Sequence, residues 1–467
     1  MCNAATMTAR RAATATSRPA SNGARPQAPS AAPFARRRAQ LMRLLKHGGH
    51  GTAAVFASGR EARRNGDVDY EFRQPSTFYY LTGFEEPDTV AVLRPGHAQP
   101  YVLFVRPHDP QMAIWVGPRA GVEGAVRDYG ADAAYPIEEL EQRLPSLLED
   151  ADTVYFSLGS DERLERLLSR TVAARRAAGQ RGAVPIERIA DPFPLVAQLR
   201  LIKSREEIDA LRRAIAITGA GIEAAMRATR PGMHEYEVQA VLDGEYRRLG
   251  SPRDGFPSIV AAGANSCTLH YTANRARIED GDLLLLDTGA EVDYYGADVS
   301  RTFPTNGRFT SAQRAIYDVV YEAQRQAITL VKPGIRFNDV HERAVRVLVE
   351  GLRDLGMLEG RTTQILKDGS YAPYYMHATS HWLGLDVHDV GNYREGNESI
   401  TLRPGMVLTV EPGLYIAPDS KAPRRLRGIG VRIEDDILVT REGHENLSAA
   451  IPSKAEELEA MVGAGQR

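Results

Sequence analysis

The chain has 467 residues, 43% of them hydrophobic, with two cysteines and a formal net charge of −2 at pH 7. This length is enough for two domains of ordinary size, each with its own core. The sequence has no run of about 18 apolar residues, which excludes a membrane-spanning helix. Two cysteines are too few for a disulfide framework or a thiolate zinc site.

The near-zero net charge conceals an uneven distribution. Residues 1–60 hold ten basic residues and no acidic one, which leaves 48 basic and 60 acidic residues in residues 61–467. Such an acidic body argues against nucleic acid as the main partner, because phosphate binding requires clustered Lys and Arg.

Residues 1–38 are rich in Ala, Arg, Ser, Thr and Pro. This composition predicts a disordered basic tail, and we expect a cytoplasmic protein. The alternative is that the Arg-rich, acid-free segment is an organelle transit peptide.

Residues 39–200 alternate between two kinds of pattern. Short apolar runs predict strands at 53–56, 89–93 and 101–105, and longer amphipathic segments predict helices at 137–148 and 161–178. Strands interleaved with helices indicate an α/β domain. The doubled proline of Asp191-Pro192-Phe193-Pro194 marks its end, with the domain boundary placed after residue 200.

Residues 201–467 combine long helices with strands. Capping-box pairs predict the start of two helices that end at prolines: Ser204 with Glu207 up to Pro231, and Thr310 with Gln313 up to Pro333. A third helix is predicted from about residue 338 to 356. Apolar runs predict strands at 258–262, 282–288, 297–303, 406–410 and 430–433. This mixture predicts an α+β C-terminal domain.

Several common catalytic signatures are missing from the sequence. There is no G-x-S-x-G elbow, no Walker loop, no H-E-x-x-H and no cysteine pair at ligand spacing. Serine, cysteine and zincin chemistry therefore lack their usual motifs.

Two aspartates are placed where neighbouring strands should meet. Asp287 ends the apolar run Leu283–Leu286, which is typical of a strand buried on both faces. Asp298 lies eleven residues later, past a turn, on the expected return strand of a hairpin. Two close carboxylates repel unless a proton or a cation lies between them.

Three of the eleven histidines fall within twelve residues, at His377, His381 and His388. Neutral imidazole is a common metal ligand and proton carrier near neutral pH. One such histidine is as often structural as functional, but the cluster favours a function.

Two glutamates complete this series of residues at strand ends. Glu411 ends the apolar run Val407–Val410, while Arg432 and Glu434 sit two apart on a predicted strand and so share a face. Taken singly, each fits an exposed turn or ion pair. It is the order of the five residues along the chain, Asp, Asp, His, Glu and Glu, that indicates a shared site.

Four carboxylates and one histidine can hold two divalent cations. Hard oxygen ligands with one imidazole favour Mn²⁺ or a similar ion over a thiolate-type zinc site, although ligand type leaves other divalent cations open. Two such ions can bridge a hydroxide and polarise a carbonyl. The site therefore indicates metal-assisted amide hydrolysis.

Five segments carry a resemblance to a known family. LLLLDTG, YYGADVSRTFP, SHWLGLDVHDVG, VLTVEPGLYI and GIGVRIEDD closely resemble the metal-ligand motifs of the Xaa-Pro aminopeptidase (aminopeptidase P) family, which are pita-bread metallopeptidases. The match spans about residues 39–460. It implies a creatinase-like α/β N-terminal domain at 39–200, followed by a pita-bread catalytic domain at 201–467.

The resemblance also implies the metal ligands. Two Mn²⁺ would be bridged by Asp298 and Glu434, with Asp287 completing one site and His381 and Glu411 the other. Glu411 would also act as the general base for the bridging water.

Further roles follow from the same resemblance. His388 would stabilise the tetrahedral intermediate or pass a proton to the leaving nitrogen. His270 and His377 would line the substrate site. Tyr415 and Arg432 would support the ligands, with Arg432 orienting a ligand carboxylate.

The implied activity is release of the N-terminal residue from peptides with proline in second position. An Xaa-Pro bond is a tertiary amide with no N–H and a locked ring, which general proteases fit poorly. Trp115, in AIWVGPRAG, resembles a residue that reaches from one subunit into a neighbour's active site, which implies a homo-oligomer, either a dimer or a tetramer. The alternative is that Trp115 is a partly buried residue of its own domain.

Two rival functions remain. A prolidase shares the ligand set but accepts only dipeptides, and the segment Ser380–Leu383 favours longer peptides. A non-catalytic pita-bread binding protein is the rival from another class, and the five intact ligand positions favour an enzyme. The pair Ala378-Thr379 departs from the family's usual Gly-Leu without touching a ligand.

Overall fold

The computed structural model describes residues 31–45, 51–179 and 182–462. Most of the predicted basic tail, residues 1–30, lies outside the described residues. The last part of that prediction is wrong, because residues 31–38 belong to helix α1 (Ala31–Leu45).

Two arginines of α1 are buried, although the sequence suggested a basic tail. The Arg37 guanidinium lies 4.4 Å from the ring centroid of Tyr80, and that of Arg38 lies 3.8 Å from the centroid of Tyr101. Phe34 is buried on the same helix. These cation–π contacts depend on tyrosines that the tertiary fold brings to α1, so no local pattern could reveal them.

The predicted α/β alternation is confirmed in the following part of the chain. The strands are β1 (Thr52–Ala57), β2 (Arg63–Asn65), β3 (Val68–Asp69), β4 (Val90–Leu93), β5 (Tyr101–Val105), β6 (Ala133–Pro136), β7 (Thr153–Tyr155) and β8 (Arg188–Ala190). The helices are α2 (Ser76–Thr82), α3 (Ala113–Val116), α4 (Gly121–Arg127), α5 (Leu140–Leu147) and α6 (Glu162–Ala178).

Six of these strands form one sheet in the order β6-β5-β4-β1-β7-β8. The pairs β1–β7, β5–β6 and β7–β8 are parallel, and β4 runs antiparallel to both its neighbours. Sheet residues Val55, Val92 and Phe104 are buried in one cluster with Leu144 of α5 and Leu168 of α6. Helices α5 and α6 therefore shield an apolar face of the sheet.

The doubled proline, predicted to mark a boundary, lies at the start of a helix. Helix α7 (Phe193–Leu201) has Pro194 in its first turn, where the missing N–H breaks no helical hydrogen bond. The division into domains at residue 200 stays a prediction.

The predicted long helices and both capping boxes are confirmed in the second half. Helix α8 (Arg205–Ala228) begins at Ser204, whose hydroxyl accepts from the Glu207 N–H. The other helices are α9 (Glu235–Arg248), α10 (Ser311–Leu330, capped by Thr310 with Gln313), α11 (Phe337–Asp354), α12 (Thr362–Asp368) and α13 (Ala455–Met461). Helices α9, α12 and α13 were not predicted.

The strands of this half pair antiparallel in small sheets. They are β9 (Arg253–Asp254), β10 (Ile259–Ala262), β11 (Leu283–Thr288), β12 (Ala290–Val292), β13 (Tyr295–Gly296), β14 (Val299–Pro304), β15 (Arg394–Glu395), β16 (Glu398–Ser399), β17 (Val407–Val410), β18 (Gly413–Ile416), β19 (Ile429–Arg432), β20 (Asp435–Val439) and β21 (His444–Asn446). The sheet orders are β10-β11-β14, β13-β12-β9, β17-β20-β21, β18-β19 and β15-β16.

One large apolar cluster joins the two halves of the chain. It contains Phe34 and Tyr79 from the first half together with Tyr294 from the second. The rings of Tyr79 and Tyr294 stack with centroids 3.7 Å apart. This contact joins the part of the chain that contains the six-stranded sheet to the turn between β12 and β13.

Candidate metal centre

Strand pairing brings the two predicted aspartates together. Strands β11 and β14 are antiparallel neighbours, with Asp287 opposite Ser300 and Thr288 opposite Val299. Asp298 directly precedes β14, and its carboxyl group lies close enough to Asp287 for the Asp287 charge to add to the effect of burial in raising its pKa. The connection is longer than a simple hairpin, because β12 and β13 lie within it.

The two glutamates come from neighbouring strand ends. Glu411 follows β17, and its backbone N–H donates to the Thr379 carbonyl at 2.8 Å. Glu434 lies in the break between β19 and β20, and its N–H donates to the Ser300 carbonyl at 3.1 Å. Glu434 is therefore tied to β14, the strand that follows Asp298.

One ring nitrogen of His381 faces the carboxylate groups. Its Nδ1 lies 3.1 Å from the Trp382 carbonyl and donates to it, which leaves Nε2 as the free lone pair. Nε2 lies 3.3 Å from Asp298 Oδ2, 3.7 Å from Glu411 Oε1 and 4.0 Å from Glu434 Oε1. One ligand atom from each of Asp298, His381 and Glu434 falls within 4.8 Å of the others, so these three residues could hold a metal ion.

Without a cation, the burial and mutual repulsion of these carboxylates raise the free energy of the folded protein. Burial raises the pKa of Asp298 and of Glu434 well above the ordinary range, and neighbouring carboxylates raise both further. Burial also raises the pKa of Glu411 to about 7, although His381 and Arg432 act in the opposite direction. A divalent cation between the carboxylates would favour their charged forms.

Two buried oxygens support the fit of a metal. Asp287 Oδ1 and Glu434 Oε1 have no hydrogen-bond partner among the described residues. Buried polar atoms normally have partners, and an unsatisfied one is expensive. Carboxylate oxygens beside an imidazole suit Mn²⁺ and similar ions, so the residues present fit divalent cations.

A chain of hydrogen bonds supports this cluster. His377 Nδ1 donates to the Ala378 carbonyl at 2.8 Å, so its Nε2 accepts from the Tyr415 hydroxyl at 2.8 Å. Arg432 Nη1 donates to that hydroxyl at 3.0 Å, and Arg432 Nη2 donates to Asp287 Oδ2 at 2.6 Å. Burial and the Arg432 charge lower the pKa of His377 to about 4, which keeps it neutral near pH 7.

A cavity of about 870 Å³ opens over the cluster. All but one of the predicted site residues line it: Asp287, Asp298, His381, Glu411, Glu434, His270, His377, His388 and Arg432. Tyr415 does not line the cavity. It is buried directly behind His377 and Arg432, to which it is hydrogen-bonded.

Sequence reasoning missed the apolar wall of this cavity. It is formed by residues from several separate segments: Phe256, Pro257, Ile259, Leu269, Phe337, Val387 and Tyr393. No local signal marks them, because apolar residues of this kind also fill ordinary cores. Only the tertiary fold brings them to one wall.

Trp115 does not belong to this cavity within its own chain. It lies on the short helix α3 with 82% of its surface exposed, beside Ile114 at 83%. The alternative of a partly buried domain residue is therefore wrong.

Comparison with known families agrees with this site. Residues 209–441 match the family described as Metallopeptidase family M24, and residues 34–155 match the Aminopeptidase P N-terminal domain. The first segment contains every metal-ligand candidate, and carboxylates with an imidazole are ligands that a metallopeptidase requires.

Known proteins match over nearly the whole chain. The Xaa-Pro aminopeptidase of Escherichia coli K12 is 42% identical over 93% of this chain and 98% of its own length. The structure of Pseudomonas aeruginosa aminopeptidase PepP is 44% identical, with a TM-score of 0.90 over 93% of this chain and 98% of that one. Zinc-substituted E. coli aminopeptidase P in complex with product is 42% identical, with a TM-score of 0.90 over 94% of this chain and 99% of that one. The chain belongs to the aminopeptidase P family of metallopeptidases.

The fold class predicted from the sequence is confirmed by these matches. A creatinase-like α/β N-terminal domain precedes a pita-bread metallopeptidase domain, and the chain as a whole is α+β. None of the described helices is long and apolar enough to cross a membrane.

Proposed function

We propose that the chain is an Xaa-Pro aminopeptidase that uses two divalent cations, with Mn²⁺ as the first candidate. The observation that carries this proposal is the convergence of Asp287, Asp298, His381, Glu411 and Glu434 on one cavity. The matched E. coli and P. aeruginosa proteins, which bear aminopeptidase names, support it.

The ligand set divides between two sites. Asp298 and Glu434 would bridge the ions, Asp287 would complete one site, and His381 with Glu411 would complete the other. When bound, two such ions lower the pKa of a shared water and polarise the scissile carbonyl. The partnerless oxygens of Asp287 and Glu434 support this division.

The remaining side chains handle protons and orientation. Glu411 would take a proton from the attacking water, because its carboxylate lines the cavity beside His381. Burial and the charges of His381 and His270 lower the pKa of His388. A neutral His388 can then donate a hydrogen bond to the developing oxyanion, or accept a proton on its free ring nitrogen and pass its N–H proton to the leaving nitrogen.

The cavity suits a peptide with proline in second position. The carboxylates that line it can accept hydrogen bonds from the N-terminal amine of a peptide. Its apolar wall, which includes Phe256, Ile259 and Leu269, offers contact to a pyrrolidine ring that has no N–H to satisfy. His270 and His377 also line the cavity and offer polar contacts.

We expect peptides longer than two residues to be better substrates than dipeptides. Arg432 is the lining arginine, and it is already bonded to Asp287, Tyr415 and Ser300. The C-terminal carboxylate of a bound dipeptide would therefore lie near acidic groups without a free guanidinium. This favours an aminopeptidase over a prolidase.

The test compares an Xaa-Pro-Xaa tripeptide with an Xaa-Pro dipeptide in the presence of Mn²⁺. We expect release of the first residue from the tripeptide and little cleavage of the dipeptide. Cleavage of dipeptides alone would instead identify a prolidase, and no hydrolysis of either would favour a binding protein.

We also propose that the chain forms a homo-oligomer, a dimer or a tetramer, through helix α3. Ile114, Trp115 and Val116 are 83%, 82% and 58% exposed, and adjacent exposed apolar side chains mark contact surfaces. Trp115 would reach the cavity of a neighbouring subunit. Size-exclusion chromatography of Trp115→Ala tests this, with dissociation expected.

A cytoplasmic location remains part of the proposal. Cys267 is free, which fits a reducing compartment. The alternative, targeting to an organelle by residues 1–38, is tested by imaging the full chain against one that begins at residue 31.

A further inference from the structure

His388 lies in the cavity on a loop that other residues hold in place. The His388 ring makes no hydrogen bond within the described part of the chain, and its ring neighbour is His381, with centroids 4.1 Å apart. The position of the imidazole therefore depends on the backbone of residues 385–389.

Two contacts hold the part of this loop that precedes the imidazole. Arg73 Nη2 donates to the Leu385 carbonyl at 2.7 Å, and Ser76 Oγ donates to Asp386 Oδ1 at 2.5 Å. Arg73 Nη1 also donates to Ser76 Oγ at 3.0 Å. Both donors come from the N-terminal half of the chain, at the start of α2.

Two buried cations hold the part that follows. Arg200 Nη2 donates to Asp386 Oδ2 at 2.8 Å and also to Asp389, while Lys203 Nζ donates to Asp389 Oδ2 at 3.1 Å. The side chains of Arg200, Lys203 and Asp389 are 2%, 1% and 1% exposed. Water cannot easily replace bonds between groups that are this deeply buried. Arg200 contacts both Asp386 and Asp389, the acids that lie on either side of His388 in the sequence.

We infer that Asp386 is a positioning residue for His388, held in turn by Ser76 and Arg200. This inference rests on the proposed function, in which His388 acts on the substrate. Asp386 itself does not line the cavity, so it acts through the loop. The six-stranded N-terminal part would thereby help to set the geometry of the metal-dependent site.

Asp386 is a better residue to change than Asp389. Its side chain is 39% exposed, whereas loss of Asp389 would remove the acid that the buried Lys203 contacts and one of the two that Arg200 contacts. We therefore choose Asp386→Ala and Ser76→Ala. Glu445→Ala is the matched control, because it removes an acid from an exposed pair with an arginine of α8.

Kinetics of the metal-loaded full chain on an Xaa-Pro-Xaa tripeptide gives the first measurement. Asp386→Ala should lower kcat about tenfold with KM within about twofold, because misplacing a reacting group costs rate more than binding. In a His388→Ala background the same change should lower kcat by less than about twofold, because the group it positions is gone. Equal losses in both backgrounds, or no loss in the wild-type background, overturn the inference.

Hydrogen–deuterium exchange gives a second measurement that needs no activity. Asp386→Ala and Ser76→Ala should speed exchange in residues 384–390, while Glu445→Ala should leave it unchanged. Unchanged exchange in this loop for both variants overturns the inference. If the wild type cleaves no Xaa-Pro peptide, the proposed function fails, and exchange still decides whether these contacts hold the loop.

Discussion

Arg432 Nη2 donates a hydrogen bond of 2.6 Å to Asp287 Oδ2, and the two side chains are 4% and 13% exposed. The other oxygen, Asp287 Oδ1, is buried with no partner among the described residues. The guanidinium therefore fixes one oxygen of the carboxylate and leaves the other directed at the cluster.

Replacing this arginine by lysine should weaken metal binding. Arg432 bonds Ser300, Tyr415 and Asp287 through three different nitrogens, which a single ammonium cannot reproduce. Loss of such an outer partner typically costs about 10- to 100-fold in metal affinity. Calorimetric titration of Arg432→Lys with Mn²⁺ measures it, with the exposed Arg325→Lys as control. Wild-type affinity in the variant would contradict the role given to Arg432.

Removing a charge from the cluster should stabilise the metal-free protein. Asp298→Asn keeps the shape of the side chain and relieves repulsion from the neighbouring acids Asp287 and Glu434. Its melting temperature without metal should rise. The wild type should gain about 2.7 kcal/mol for one site filled at 100 times its dissociation constant, and the variant should lose most of that gain.

Thermal shift assays with and without Mn²⁺ measure both effects. Asp293→Asn, an exposed change in the same connection between β11 and β14, should behave as the wild type in both conditions. An Asp298→Asn variant with the full Mn²⁺ shift would rule out this residue as a ligand.

A buried glutamate holds the segment that carries His270. Glu235 Oε1 accepts from Ala262 N and Asn265 Nδ2, and Oε2 accepts from the Tyr271 hydroxyl and Ala276 N. Glutamine has one acceptor oxygen, so Glu235→Gln leaves one of the two backbone donors, Ala262 N or Ala276 N, facing an NH₂ group.

We expect Glu235→Gln to lower the free energy of unfolding by about 2 to 4 kcal/mol, since buried donors without acceptors are costly. Urea denaturation measures this loss. Glu245→Gln, on the same helix but bonded to the exposed Arg248, should change stability little. A similar small change for Glu235→Gln would contradict the account of this segment.

One aspartate outside the metal centre should make stability depend on pH. Burial, aided by the Asp254 charge, raises the pKa of Asp243 to about 6, and Asp243 Oδ1 is buried with no partner among the described residues. Because the folded pKa exceeds the unfolded value, this group contributes most stability below about pH 4, and the contribution is lost as pH rises through 6.

Asp243→Asn should therefore match the wild type at pH 4 and exceed it at pH 8. We expect a gain of about 1 kcal/mol after allowance for partial exposure. Urea denaturation at both pH values measures it, with the exposed Asp67→Asn as the control. An equal effect at pH 4 and pH 8 would contradict the assigned pKa shift.

Local sequence patterns predicted many of the helices and strands that surround the site. The capping boxes at Ser204 and Thr310 are formed by residues close in sequence, and the structure confirms both. Asp287 and Glu411 were recognisable because each comes directly after a run of four residues of a buried strand, Leu283–Leu286 and Val407–Val410. Such signals depend on residues close in sequence, which is why they could be found.

Features that depend on distant contacts were not predicted. Burial of Arg37 and Arg38 requires Tyr80 and Tyr101 from the following segments. The bond from Ser76 to Asp386 joins residues 310 positions apart. Alternating polarity and spacing carry no information about such pairs, so only the tertiary structure reveals them.

Titration of the metal-free full chain with Mn²⁺, while release of the first residue from an Xaa-Pro-Xaa tripeptide is followed, tests the central claim most directly. The account predicts no turnover in chelator and activity that rises until two ions are bound per chain. Undiminished tripeptide cleavage in chelator would contradict it, as would full activity with a single ion bound.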